Sequence, residues 1–196
     1  SLQDAFDGPE NSKLRERMLN GEYIDSCKKC YRDEYLGKSS YRQRFNRRYD
    51  INEKPIIREL ELALSNKCNF KCVTCNTRFS SSWYDDDILL GRTYYTNIGR
   101  NYKSNFDIKK IDLSQLVELK ILGGEPLLEK DILEIFKSLE KENITLFFVT
   151  NNSIFPSEEW IEEVSKFKTV KFVVSLDGVY DVAEFVRYGT KFKRFE

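Results

Sequence analysis

The chain has 196 residues, of which 40% are hydrophobic and 14% aromatic, so it can bury one full core and at most a small second module. Its 32 basic and 32 acidic side chains cancel, which excludes an overall electrostatic field that would gather nucleic acid or an anionic membrane. The complete lack of histidine excludes imidazole metal sites and the Ser-His-Asp and Cys-His nucleophilic systems.

The sequence is typical of a cytoplasmic protein. No apolar run approaches the ~20 residues that span a bilayer, and the N-terminal stretch SLQDAFDGPE lacks the basic and apolar regions of a signal peptide. In a reducing cytoplasm, five cysteines with two short-spaced clusters indicate metal or redox chemistry rather than a disulfide framework. The chain begins with Ser1 and stops without a recognisable ending, so we expect it to be an excerpt of a longer protein.

The N-terminal quarter combines a helix, a cysteine pair and a basic stretch. A short helix is predicted for residues 11–21. Cys27 and Cys30 follow in a C-x2-C spacing, which lets a tight turn present two sulfurs to one metal centre. Arginines then alternate with aromatic residues along residues 41–49, a stretch that could hold a nucleic acid or an acidic peptide. With a net charge of zero we favour a solvated helix whose aromatic residues pack inward.

From residue 55 onward the sequence alternates between strands and helices. Strands are predicted at 56–64, 116–122, 144–150 and 170–176, and helices at 131–143 and after Pro156. This alternation with short connections is typical of βαβ units and predicts an α/β domain with a parallel sheet. Residues 80–115 show no clear pattern, and we expect a short helix followed by a long excursion.

Chemically useful residues follow each of the four predicted strands. In chain order they are Cys68, Cys72 and Cys75 in a C-x3-C-x2-C spacing, then Gly123, Gly124, Glu125 and Pro126, then Asn151, then Ser175 and Asp177. The carboxyl ends of parallel strands lie on one rim of the sheet, which is where sites form in such folds. The sequence therefore predicts one site to which all four strands contribute.

The residue types at this rim suit a metal cluster and a polar cofactor. Three nearby thiolates bind iron-sulfur or zinc, and a 4Fe-4S cube with three cysteines leaves one iron open to another ligand. Gly123 and Gly124 offer bare backbone, and Glu125 offers a carboxylate, so this loop could receive an amine. Ser175 and Asp177, two residues apart at a strand end, face the same way and could accept ribose hydroxyls.

The segments KCNFKCVTCN, ILGGEPLL and VSLDG, in this order, resemble the core of a radical S-adenosylmethionine (SAM) enzyme. The resemblance implies a partial (β/α)6-type barrel in which Cys68, Cys72 and Cys75 hold a 4Fe-4S cluster whose fourth iron chelates SAM. It also implies an electron donor such as flavodoxin or ferredoxin. One electron would cleave SAM to methionine and a 5'-deoxyadenosyl radical, which abstracts hydrogen from a peptide or small-molecule substrate.

Roles for the other rim residues are implied by the same resemblance. The loop from Gly123 to Pro126 corresponds to the amine-binding loop of the family, and Ser175 and Asp177 would lie near the ribose of SAM. Asn151 and Arg187, in TNN and EFVRYG, stand where related enzymes often contact the cofactor. We therefore expect these residues to bind SAM.

Residues 14–46 resemble the end of the twitch segment that precedes the core in a group of radical SAM proteins. There the C-x2-C belongs to an auxiliary cluster, so Cys27 and Cys30 could hold a second iron-sulfur cluster, with zinc or free thiols as alternatives. We expect a mostly helical twitch-like segment at 1–54 and a radical SAM core at 55–196, with the chain truncated at both ends.

The alternative hypothesis is a zinc-stabilised binding module without catalysis. Cys30 with the three core cysteines would form its tetrahedral site, and the arginine and aromatic stretch would bind a nucleic acid. Zinc explains neither the glycine loop nor the rim, so the enzyme hypothesis is favoured. Taken singly, however, Gly123-Gly124 would be a tight turn, and Glu125 could equally be a buried structural carboxylate.

Overall fold

The structure, a computed structural model, describes residues 2–49 and 55–195. The chain divides into two compact units, the first made of Ser1–Ile56 with Lys110–Asp112 and the second of Ile57–Lys109 with Leu113–Glu196. The domain boundary predicted between residues 54 and 55 lies outside the described residues. The C-x2-C cysteines belong to the first unit and the C-x3-C-x2-C cysteines to the second.

Helices make up the first unit. They are α1 Leu2–Asp7, α2 Pro9–Leu19, α3 Lys28–Tyr35 and α4 Tyr41–Arg48. α2 begins two residues before the predicted start because Pro9, whose fixed φ suits a first helical position, initiates it. It ends where Gly21 adopts a φ of 73° and the N–H of Glu22 reaches back to the carbonyl of Arg17 at 3.0 Å. The sequence pattern thus located this helix to within two residues.

The aromatic residues of α4 are exposed, so the prediction that they pack inward is wrong. Tyr41 and Phe45 are 64% and 37% exposed. Their rings stack on each other with centroids 5.5 Å apart, and the guanidinium of Arg44 lies 4.5 Å from the Tyr41 centroid. These contacts along one helix face shelter the rings in part without a core to bury them.

A four-stranded parallel sheet forms the centre of the second unit, which confirms the predicted α/β class. The strands are β1 Glu59–Ala63, β2 Lys71–Cys72, β3 Glu118–Leu122, β4 Thr145–Thr150, β5 Thr169–Val174 and β6 Arg187–Tyr188. The parallel sheet has the order β1-β3-β4-β5, and β2 pairs with β6 in a separate antiparallel ladder. Each of the four predicted strands is present in the parallel sheet, so their carboxyl ends share one edge.

The helices of the second unit are α5 Tyr84–Leu89, α6 Thr93–Thr96, α7 Asp131–Lys137, α8 Glu158–Ser165 and α9 Tyr180–Val186. In the described part of the chain, no helix combines the length and the apolarity needed to cross a membrane. α7 stops six residues before its predicted end. A buried lysine terminates it, because Lys141 Nζ donates to the carbonyls of Phe136 and Leu139 at 2.7 and 3.2 Å. The same ammonium pairs with Glu163 of α8 at 3.2 Å.

An aromatic cluster joins the sheet to α7 and α8. The rings of Phe148 on β4 and Trp160 on α8 pack edge to face at 5.0 Å, and those of Phe136 on α7 and Phe167 do so at 5.2 Å. Trp160, Val164 and Phe167 are all buried and form the face of this segment that packs on the sheet side. This packing anchors the strands against the two helices, and with them the edge where their carboxyl ends meet.

Phe136→Ala is expected to lower the free energy of unfolding by about 3–5 kcal/mol, because it leaves a cavity in a fully packed core. Phe136 is 0% exposed, whereas Phe155, a matched control, is 98% exposed. Phe155→Ala is therefore expected to stay within about 0.5 kcal/mol of the parent. Urea unfolding followed by circular dichroism measures both, and equal losses would contradict this core.

Candidate functional site

A cavity of about 200 Å³ lies at the carboxyl ends of the strands in the second unit. The predicted site residues that line it are Cys68, Cys72, Cys75, Gly123, Gly124, Asn151, Ser175 and Arg187. Glu125, Pro126 and Asp177 are not part of its lining. The edge predicted from the strand pattern therefore gathers the three core cysteines with one or more residues from each of the following strand ends.

The cysteines lie on an irregular loop between β1 and the segment that precedes α5. Cys68 Sγ accepts a hydrogen bond from the N–H of Phe70 at 3.5 Å, and the N–H of Cys75 donates to the carbonyl of Cys72 at 2.9 Å. Cys72 belongs to β2, where it stands opposite Arg187 of β6. The loop thus turns tightly enough to present its three thiols to one cavity.

A run of polar residues directly after the cysteine loop supports its backbone. The hydroxyl of Ser82 donates to the Cys68 carbonyl at 2.7 Å, and that of Ser80 donates to the Phe70 carbonyl at 2.6 Å. The indole of Trp83 donates to the carbonyl of Cys72 at 3.0 Å. Sequence reasoning missed these residues. Their clue was a cluster of hydroxyl side chains beside a loop whose backbone groups need partners.

Asp87, a buried carboxylate of α5, stabilises the C-terminal end of the cysteine loop. Its Oδ2 accepts from both the N–H and the hydroxyl of Thr77, at 2.8 and 2.7 Å. Its Oδ1 lies 3.5 Å from Arg92. The amide of Asn66, two residues before the first cysteine, donates to the carbonyl of Thr77 at 2.8 Å. Residues on both sides of the cysteines are therefore tied together.

The glycine loop after β3 docks directly on the start of the cysteine loop. The N–H of Gly124 donates to the carbonyl of Ser65 at 3.2 Å, and the N–H of Glu125 donates to that of Lys67 at 2.7 Å. A Cβ at Gly124 would lie 2.2 Å from the Lys67 oxygen, so this close approach requires glycine. Gly123 has a φ of 131°, which other residues rarely adopt. The fold therefore requires glycine at both positions, independently of the cofactor role predicted for them.

Glu125 is buried and both of its carboxylate oxygens are engaged. Oε1 accepts from the Thr150 hydroxyl at 2.8 Å and from the N–H of Leu127 at 3.2 Å. Oε2 accepts from the N–H of Asn151 at 2.7 Å. These contacts join the ends of β3 and β4 and agree with the structural alternative for this carboxylate. Its part in binding an amine stays a prediction, as does that of the buried Pro126 beside it.

Asn151 and Ser175 reach the cavity from β4 and β5. The amide of Asn151 lies 3.8 Å from Cys68 Sγ and donates to the side-chain oxygen of Asn69 at 3.0 Å. The N–H of Ser175 donates to the carbonyl of Thr150 at 2.9 Å, which carries the sheet pairing up to the rim. Contacts of these residues with a cofactor stay predictions.

Arg187 connects a cysteine sulfur to a carboxylate. Its Nη1 lies 3.7 Å from Cys72 Sγ, and its Nη2 lies 2.7 Å from Asp177 Oδ2. Its Nε is buried and has no hydrogen-bond partner among the described residues. Asp177, predicted to lie near a ribose, is thus engaged with Arg187 through one oxygen. A buried donor without a protein partner, on a residue that lines a cavity, is suited to an acceptor atom of a bound ligand.

The three thiols differ in acidity. Burial raises the pKa of Cys68. Cys72 and Cys75 share a hydrogen bond, which raises the pKa of Cys72 and lowers the pKa of Cys75 to about 7. The positive charge of Arg187 opposes the rise at Cys72 and adds to the fall at Cys75. A thiol with a lowered pKa is readily available as a thiolate, the form that binds metals.

The donor set suits a cysteine-bound cluster. Among the described residues, no three His, Cys, Asp or Glu side chains are gathered closely enough to hold a single metal ion. In an iron-sulfur cluster, in contrast, each cysteine binds its own iron, so the sulfurs need only surround one cavity. Cys68, Cys72 and Cys75 meet that condition, and hydrogen-bond donors lie beside two of their sulfurs.

Comparisons with known proteins agree with this chemistry. Residues 62–196 match the model of the Radical SAM superfamily. The probable GTP 3',8-cyclase of Methanocaldococcus jannaschii is 34% identical over 121 residues, which are 62% of this chain and 37% of that protein. The GTP 3',8-cyclases of Clostridium perfringens and Campylobacter lari are each 26% identical, over 134 and 106 residues, or 38% and 30% of their lengths. The aligned part of the chain thus spans between 30% and 38% of the length of these relatives.

Glu125→Gln is expected to destabilise the second unit by about 1–3 kcal/mol, because an amide nitrogen cannot accept the hydrogen bonds that one carboxylate oxygen now accepts. The matched control is Glu142→Gln, which changes an exposed glutamate of the same unit. Urea unfolding of both variants without added metal measures the difference. Equal stability of the two variants would mean that the contacts of Glu125 with Thr150 and Asn151 are unimportant.

Proposed function

Because the chain belongs to the radical SAM superfamily, whose members use a 4Fe-4S cluster and SAM, we propose that it is an enzyme that cleaves SAM reductively. The 5'-deoxyadenosyl radical that the bound cluster and SAM supply would abstract hydrogen from a substrate. The observation that carries the proposal is the convergence of three cysteine thiols and three further strand ends on one cavity.

Cys68, Cys72 and Cys75 would hold the cluster in this proposal. Three protein thiolates satisfy three irons of a 4Fe-4S cube and leave the fourth for a non-protein ligand. Asn151 and Arg187 would donate hydrogen bonds to the sulfurs of Cys68 and Cys72, to which they already lie close. Such donors stabilise negative charge on the thiolates, which a low-dielectric cavity would otherwise disfavour.

The strand ends would hold SAM beside the open iron. The N–H groups of Gly124 and Glu125 are used against the cysteine loop, so the carbonyl oxygens of Gly123 and Gly124 are the groups we propose for its amine. We propose the hydroxyl of Ser175 and the second carboxylate oxygen of Asp177 for the ribose. The unpaired Nε of Arg187 would meet an acceptor on the bound cofactor.

The substrate and the electron donor belong to the same proposal. We propose a low-potential protein such as flavodoxin or ferredoxin as the donor, a cytoplasmic setting, and a peptide or small molecule as the substrate. The relatives are named for a reaction of GTP, but the aligned part is at most 38% of the three compared, so GTP is not assigned to this chain. The zinc-stabilised binding module is not favoured, since the superfamily match covers residues 62–196.

A second cluster in the first unit is a separate proposal. Cys27 directly precedes α3 and Cys30 lies in its first turn, and both are only partly exposed. Two thiols in this arrangement could supply half of a cluster site, and the other ligands would have to come from elsewhere in the protein. The proposed SAM chemistry does not depend on this pair.

The test is the anaerobic formation of 5'-deoxyadenosine. The full-length protein, reconstituted with iron and sulfide and reduced with dithionite, is expected to convert SAM to 5'-deoxyadenosine and methionine. Cys72→Ala is expected to lose this activity, because a buried cluster ligand is removed. Cys27→Ala combined with Cys30→Ala is the matched control and should retain the activity.

Chromatography of the quenched reaction and iron analysis of each variant give the result. No 5'-deoxyadenosine from folded, cluster-loaded protein would sink the proposed function. Equal product from Cys72→Ala would show that the cysteine loop is not the site of the chemistry.

A further inference from the structure

Arg187 is held in place from two directions, by its backbone and by its side chain. In the β2/β6 ladder it stands directly opposite Cys72, and the N–H of Val73 donates to the carbonyl of Val186 at 2.9 Å. One terminal nitrogen of its guanidinium lies 3.7 Å from Cys72 Sγ, and the other lies 2.7 Å from Asp177. Only 16% of the side chain is exposed. The guanidinium is therefore pre-positioned against a cluster ligand.

Other basic side chains of the cysteine loop bind elsewhere. Lys67 Nζ donates to the carbonyl of Leu128 at 3.0 Å, and Lys71 pairs with Asp86. Arg187, in contrast, directs one terminal nitrogen of its guanidinium to the Cys72 sulfur. Its ion pair with Asp177 through the other terminal nitrogen fixes the orientation of the planar guanidinium. A fork clamped in this way serves as a fixed positive charge next to the thiolate.

The physical consequence concerns reduction. An electron added to a cysteine-bound cluster increases its negative charge, and hydrogen bonds and positive charge at the ligand sulfurs favour the reduced state. The effect is larger in a partly buried site, where water screens the charge less. Asp177 offsets part of the charge, but its carboxylate pairs with Nη2 of the guanidinium, whereas the Cys72 sulfur lies near Nη1.

We propose that Arg187 is a positioning residue that donates to the Cys72 sulfur of the loaded site and raises the reduction potential of its 4Fe-4S cluster. Asp177 holds the guanidinium in the required orientation. In the reduction step, one electron passes from the donor protein to the cluster, and Arg187 favours the reduced cluster. No covalent bond of Arg187 forms or breaks in this step. This inference rests on the proposed function, and it adds a role that contact with SAM alone would not give.

The test is a redox titration of the reconstituted full-length protein without SAM, followed by electron paramagnetic resonance (EPR). Arg187→Gln removes the charge and is expected to lower the equilibrium constant for reduction about tenfold, which is 59 mV for one electron. Arg187→Lys keeps the charge but loses the fork, so its potential should fall between those of the parent and Arg187→Gln. Lys191→Gln removes a cation that is 71% exposed and should leave the potential unchanged.

If cluster-loaded Arg187→Gln has the same reduction potential as the parent protein, the inference is wrong. If Arg187→Gln fails to bind the cluster, the reduction potential of Arg187→Lys is the deciding measurement. A potential equal to that of the parent, or loss of the cluster, in Arg187→Lys overturns the inference as well. An equal shift in Lys191→Gln would show a general charge effect and also overturn it. Failure of the proposed function is a different result, because the parent protein itself would then lack a cluster or form no 5'-deoxyadenosine.

Discussion

The cysteine loop depends on one close backbone contact with the loop that follows β3. Gly124 approaches the carbonyl of Lys67 so closely that no side chain fits between them, and hydrogen bonds from Gly124 and Glu125 close the contact. This contact sets the distance between the three thiols and the ends of the parallel strands. The glycine loop therefore shapes the site whatever it binds, and Gly123 and Gly124 themselves line the cavity.

Most polar groups around the site support the loop rather than face the cavity. An irregular loop cannot satisfy its own backbone as a helix or strand does, so its partners come from other segments. Hydroxyls of residues 80–82, the indole of Trp83 and the carboxylate of Asp87 supply them. Glu125 plays the same part between the ends of β3 and β4. The cavity itself is lined by the thiols, the glycine backbone, a few donors and apolar side chains such as Phe70 and Phe79, a division that favours a preorganised cofactor site.

The strands and the shared rim could be predicted because they follow from local apolar patterns and from the rules of parallel sheets. The cysteine and glycine motifs could be located for the same reason. The hydrogen bonds by which residues 80–92 support the cysteine loop could not be predicted from the sequence. They join side chains to groups that are distant in sequence, and they follow no periodic pattern. The pairing of Asp177 with Arg187 was missed for the same reason. The prediction that the rings of Tyr41 and Phe45 are buried failed because an amphipathic pattern does not reveal whether a core is available to cover the apolar face.

The central claim is that three cysteines of this loop hold a 4Fe-4S cluster with one iron open to SAM. It is tested most directly by the EPR spectrum of the reduced, reconstituted full-length protein before and after SAM is added. The claim predicts that SAM changes the cluster signal, because a new ligand binds one iron, and that Cys72→Ala abolishes the response. A cluster signal that SAM leaves unchanged would contradict it.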